Sequence, residues 1–220
     1  MKGNGLKLRR VHILGLSIFV LAGAAVLVST SDSIAQWTPE EEEQHRLLGY
    51  HGVQITGQGE FLVASEESIS AVAGEKYIDR NGLSVIPLRI LGMAGRGYVE
   101  GVGESVYWLD KSRPVEGSMV RGKARGSDFP AVHEMRFHLF LTTEALPGRT
   151  FRSINPAVMV NNNSMSFPPR LGSRYVLKNV VELEDVNDPG VVVVRIVSNR
   201  NQIVGSGRSG AGLGRRPSES

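Results

Sequence analysis

The chain of 220 residues contains no cysteine. Disulfides and thiolate metal sites are excluded whichever compartment receives it, so stability must come from a buried apolar core. Aromatic residues make up only 6% of the sequence, which is thin for a dedicated sugar-stacking platform. Past Tyr50 no helical period runs longer than about two turns, which argues against a helical bundle or a layered βα fold. A surplus of one charge is missing as well. The formal +3 arises at the ends, because residues 1–35 hold four of the 25 basic side chains and only one of the 22 acidic ones. The remainder is balanced, and without the segment from Ser206 it is slightly acidic. Such a surface has no general pull on phosphate backbones, so nucleic acid is not an expected partner.

What is present begins with an export signal. Lys2, Lys7, Arg9 and Arg10 precede an apolar run from Ile13 to Val28, and Ser33-Ile34-Ala35 supplies the small residues a signal peptidase must accommodate. Cleavage after Ala35 is the expectation, and the run falls short of the ~20 residues of a comfortable membrane span. The mature protein is then periplasmic or extracellular, touching the membrane only through the signal. Whether export is Sec-type or twin-arginine stays open, since Arg9-Arg10 is followed by a loose match.

Four segments are expected: a signal over 1–35, a short helical lead-in over 36–49, a β domain over 50–204 and a disordered Gly/Ser/Arg tail over 205–220. The helix rests on Thr38 as cap, Pro39 at the first helical position and the acidic run Glu40 to Glu43. From Tyr50 onward short apolar runs alternate with turn residues. Asn81-Gly82 has the composition of a tight hairpin turn. Pro87 inside the run Leu83 to Leu91 marks an edge or a bulge. Gly92 to Gly103 reads as bends around a short strand, and Asn161 to Ser164 as a loop. Tyr107 and Trp108 must face opposite ways, with Trp108 expected in the core. The cleanest alternation is His133, Met135, Phe137, Leu139 and Leu141 on one face, with Glu134, Arg136 and His138 on the other. The fold class is therefore all-β, an antiparallel β-sandwich, with a β-barrel as the alternative.

Three stretches look like chemistry. His133 and His138 resemble a zinc-protease pair but are five apart on a strand, which sends the rings to opposite faces. Gly103-Glu104-Ser105 starts like a nucleophile elbow and lacks the closing glycine. Oxygen-bearing side chains crowd the stretch Glu182 to Asp188, and Asp185-Val186-Asn187-Asp188 is similar to the Asp-x-Asn-Asp stretch at cadherin repeat junctions. That resemblance implies calcium held by Glu184, Asp185, Asn187 and Asp188; the alternative is a polar hairpin turn. No cofactor other than this calcium is expected, and no catalytic residue is assigned. The functional reading is an exported binding or structural module of the cell envelope or secretome, with a protein or carbohydrate ligand. The rival is an exported hydrolase drawing its acid and base from Glu104, Asp110, Asp128 and Glu134 on separate strands.

Overall fold

The computed structural model describes residues 42–99 and 102–209; the expected signal, the first part of the expected helix and the end of the expected tail lie outside these. The described residues are all-β, without a helix. In chain order the strands are β1 Glu42–Ile55, β2 Gly59–Ala73, β3 Tyr77–Ile78, β4 Ser84–Val99, β5 Gly103–Leu109, β6 Ser118–Gly122 and β7 Ala131–Phe137. They continue as β8 Leu139–Thr143, β9 Phe151–Ser153, β10 Ala157–Ser164, β11 Arg174–Leu177, β12 Val181–Asp185 and β13 Asp188–Ser209.

Every pairing is antiparallel. β1, β2 and β4 lie side by side; β5 and β6 follow one another along β4, and β8 and β7 run along them in turn. β9 and β10 pair with β8 and β7, β12 and β11 come next, and both dock on β13. β13 then pairs with β1 along its whole length, from Glu42 opposite Ser209 to Ile55 opposite Val194. The hydrogen-bonded path thus returns to the strand where it began, leaving no long free edge.

The inner face follows from period two. On β1 it takes Leu47, Val53 and Ile55, on β2 Val63 and Ile69, and on β12 and β13 Val181, Leu183 and Val194, all buried. Burying each such side chain stabilises the fold by about 1.5–3 kcal/mol. Bulges reset this pattern. Leu91 is skipped between the pairs Ala71 with Ile90 and Ser70 with Gly92, and Val197 between Val53 with Ile196 and Gly52 with Ser198. An extra residue shifts the alternation by one. The buried positions of β13 accordingly change from Val194 and Ile196 to Asn199, Asn201 and Ile203.

Several expectations need correction. Residues 42–49 are strand: Glu43, His45 and Leu47 are buried and Glu42, Gln44 and Arg46 are not, so cross-strand pairing outweighs the helix-start signals. Gly205–Ser209 continue β13 against β1 rather than trailing off. Gly92–Val99 belong to β4, and Asn161–Ser164 end β10 as strand. Pro87 lies within β4, opposite Met119 of β6, with its carbonyl accepting the Gly74 N–H just past β2, and the bulge falls at Leu91 instead. The Asn81-Gly82 turn is present, with the Asp79 carboxylate accepting from the N–H groups of Asn81 at 2.8 Å and Leu83 at 3.0 Å.

Candidate functional site

β1, β2, β5 and β13 each send a polar side chain into the interior, where apolar residues would suffice for packing. His51 comes from β1, Glu67 from β2, Tyr107 from β5, and Asn199 and Asn201 from β13, all buried. His51 and Asn199 are directly opposed in the β1–β13 register, which brings their Cβ atoms to about 4.5–5.5 Å.

Glu67 is the hub. His51 Nε2 donates to its Oε1 in a very short contact, and Asn201 Nδ2 donates to the same oxygen at 2.5 Å. Tyr107 Oη stands 3.1 Å from His51 Nε2, with the two rings edge-on at 5.3 Å between centroids. Burial alone would raise the Glu67 pKa. The charge that His51 carries when protonated, and hydrogen bonds from His51, Asn201 and Tyr107, overcome that and hold it below the ordinary carboxylate range. Burial, and after it the Glu67 charge, raise the Tyr107 phenol and keep it protonated. The Tyr107 ring has room because β4 passes it as glycine: a Cβ on Gly95 would lie 2.3 Å from that ring.

Beside this group lies a small cavity of about 30 Å³, room for about one or two waters. Its walls include His51, Glu67, Ser105, Tyr107 and Asn199, and otherwise apolar side chains such as Val53, Val63, Met93, Leu139, Met159 and Ile196. Asn199 is the anomaly. It is 5% exposed, its amide oxygen has no hydrogen-bond partner, and its NH2 reaches only the Met159 thioether at 4.0 Å. A buried amide left this way costs about 1–3 kcal/mol.

Further along the interior, Tyr175 Oη and His133 Nδ1 are 2.7 Å apart, and His133 Nε2, His45 Nδ1 and Glu43 Oε2 have no hydrogen-bond partner among the described residues. Burial, and then the nearby His45, push the His133 pKa down to about 3. His133 is fully buried, on the apolar face that the alternation gave it.

The residues marked in the sequence are used differently. Glu184 pairs with Arg152 at 2.8 Å and accepts the Gly190 N–H, while Asp185 pairs with Arg149 at 2.5 Å and accepts the Asn187 N–H. Those backbone donors, followed by the arginines, hold both carboxyls below their usual range. Their oxygens are taken up by a polar turn over Val186–Asn187, and among the described residues no group of three or more His, Asp or Glu is gathered to hold a metal. The carboxylates proposed for hydrolysis are dispersed. Glu104 is exposed, Asp110 accepts from Ser112 at 2.6 Å, Asp128 pairs with Lys76 at 3.0 Å, and Glu134 with Arg136. Ser105 is a strand residue that donates to Thr143 at 3.0 Å. Tyr107 rather than Trp108 enters the core; Trp108 stacks outside on Phe140 at 5.6 Å.

Sequence reading missed His51, Glu67, Tyr107 and Asn199 as a group. A signal existed on β2, where Ser65 and Glu67 interrupt the period-two series Val63 to Ala73.

No family model matches this chain, and no curated protein does. The chain is similar to the structure of DynF from the dynemicin biosynthesis pathway of Micromonospora chersina, at 20% identity and a TM-score of 0.62, over 76% of this chain and 82% of that one. At that identity the likeness is one of fold.

Proposed function

We propose that this protein is an exported ligand-binding protein. Its closed antiparallel sheet is read as a barrel rather than a sandwich, holding one small, largely apolar molecule that carries a hydrogen-bonding group. Closure of the pairings between β1 and β13 favours the barrel. The observation that carries the ligand is Asn199, a buried amide on the wall of an apolar cavity whose oxygen has no partner and whose NH2 reaches only the Met159 thioether. A mostly apolar pocket with a few convergent polar groups is the usual form of a small-molecule site. The cavity as it stands is tight, so a ligand larger than a water must displace Met93 and Met159, the two most adaptable side chains around it. Export is supported by the pattern of residues 1–35, and secretion into the medium or periplasm with Gln36 as the first residue is the expected result.

The test uses the mature chain and the substitution Asn199→Leu, which keeps the volume and removes the unpaired amide. Thermal shift against a panel of small ketones, alcohols and fatty acids should find a class that raises the melting temperature of the parent. In Asn199→Leu that shift should vanish while the unliganded protein becomes more stable by about 1 kcal/mol. A substitution that destabilises the fold, with no probe shifting either protein, would mean that Asn199 serves packing alone.

A further inference from the structure

We infer that the interior site is an acid–base centre acting on a small ketone, in which His51 removes a proton from the carbon next to the carbonyl while Asn199 holds the carbonyl oxygen. The inference rests on the ligand-binding reading and adds an activity and a substrate class to it.

Three features of the geometry converge on this assignment. Glu67 engages His51 through Nε2, so the neutral ring carries its hydrogen on Nε2 and presents the lone pair of Nδ1, the arrangement by which a carboxylate orients an imidazole base. Asn199 lies directly across the register from His51, and its NH2 has only a thioether to donate to. A carbonyl oxygen is a far better acceptor than sulfur at that position, and a base beside a carbonyl-binding donor is the pair that enolisation requires. Apart from Glu67, Ser105 and Tyr107 the remaining walls are apolar, so the negative charge that develops on oxygen meets a fixed donor with little competing water.

The step balances without a co-reactant. Nδ1 of His51 takes the α proton. The C–H electron pair becomes the new carbon–carbon double bond, and the carbonyl π pair moves to oxygen, where the Asn199 N–H hydrogen-bonds it. The imidazolium then returns the proton to the same carbon, or to the far carbon when the ketone carries a β,γ double bond, giving the conjugated isomer. Glu67 touches no reacting atom and is a positioning residue.

The test is proton exchange in D2O, with cyclohexanone, its alkyl-substituted relatives and 3-cyclohexenone as probes. Binding is read by thermal shift, and loss of the α C–H signal by NMR. A ketone that binds should exchange at least ~100-fold faster than in buffer, and His51→Gln should abolish the acceleration while keeping the thermal shift. Glu67→Gln should lower the exchange rate while the ketone still shifts the melting temperature, and Glu67→Asp should restore part of the rate; a merely structural role would lower the rate and the thermal shift together. If Glu67→Gln does not fold, His51→Gln decides alone. Ketones that bind without accelerated exchange, or exchange that survives His51→Gln, overturn this inference and leave the binding reading standing. Binding of alcohols or acids but of no ketone overturns it as well, and binding of nothing overturns both.

Discussion

His133 offers a quantitative test of the interior as described. It is fully buried on β7 between Tyr175 and Phe167, and its imidazole is kept neutral with a pKa pushed down to about 3. In the unfolded chain the same ring titrates near 6.5. Below that pH the unfolded state takes up a proton that the folded state refuses, so stability is complete above pH 6.5 and is lost as the pH falls towards the folded value. Between pH 7 and pH 5 the loss from this one residue is about 2 kcal/mol. The figure hardly depends on the depressed value, since any folded pKa of about 4 or less gives nearly the same loss at pH 5.

The window is favourable. The carboxyls held low, at Glu67, Asp79, Asp128, Glu184 and Asp185, give up their contributions only as the pH drops below the ordinary carboxylate values near ~4. His138, lowered by burial and then by Arg113, acts in the same direction as His133, and a comparison with His133→Gln cancels it. Denaturant unfolding of both proteins at pH 7, 6 and 5 should show the parent losing about 2 kcal/mol more than the variant, or about 4–8 °C in melting temperature. Equal pH slopes in the two proteins would refute the burial of a neutral His133.

Other perturbations have defined outcomes. Gly95→Ala drives a methyl into the Tyr107 ring at 2.3 Å; a loss of about 1–3 kcal/mol is expected, and an unchanged melting temperature would mean that the ring does not lie over β4. Asp185→Asn removes the partner of Arg149 and weakens the acceptor for the Asn187 N–H. It should lower stability above pH ~4 and have less effect below it, read by melting curves across that range. Chelator should leave the parent melting temperature unchanged, because the Glu184 and Asp185 oxygens are engaged by Arg152, Arg149 and turn N–H groups; a drop would restore calcium as a ligand of the native state.

The antiparallel all-β class was legible because it depends on local alternation. In His133 to Leu141 the apolar set His133, Met135, Phe137, Leu139 and Leu141 is buried as the alternation required, while Glu134 and His138, expected on the wet face, are buried too. The Asn81-Gly82 turn was legible because positive φ, here 77° at Gly82, leaves so few residue choices. The first strand was not. Thr38-Pro39 and the acidic run carry real helix-start signals, and they are overridden from Glu42 onward by pairing with both β2 and β13. The glycines of β4 misled in a different way. Gly95 and Gly97 looked like bends, yet they are flat strand residues that make room for Tyr107 and Val63. The site was hidden by the bulge at Val197. Counting by twos from Val194 puts Asn199 on the outer face, and the bulge alone turns it inward beside His51.

The buried polar atoms without a hydrogen-bond partner gather in the interior, and the proposed function follows from them. Among the described residues six buried side-chain atoms have no hydrogen-bond partner, and five of them belong to inward-facing positions: Glu43 and His45 on β1, His133 on β7, Asn199 and Asn201 on β13. Asn201 is explained locally. Its NH2 is fixed on Glu67 and its oxygen lies against bare Gly49, where a Cβ would sit 2.0 Å away. The His51–Glu67 pair could serve architecture as well as chemistry, because its hydrogen bonds are met and a matched apolar pair would fold as well or better. Asn199 has no such account. Nothing in the packing around position 199 calls for an amide, and leucine there would satisfy the core at lower cost. A residue that weakens the fold it stands in, opposite an oriented histidine and beside a cavity, is what the proposed ligand site would account for.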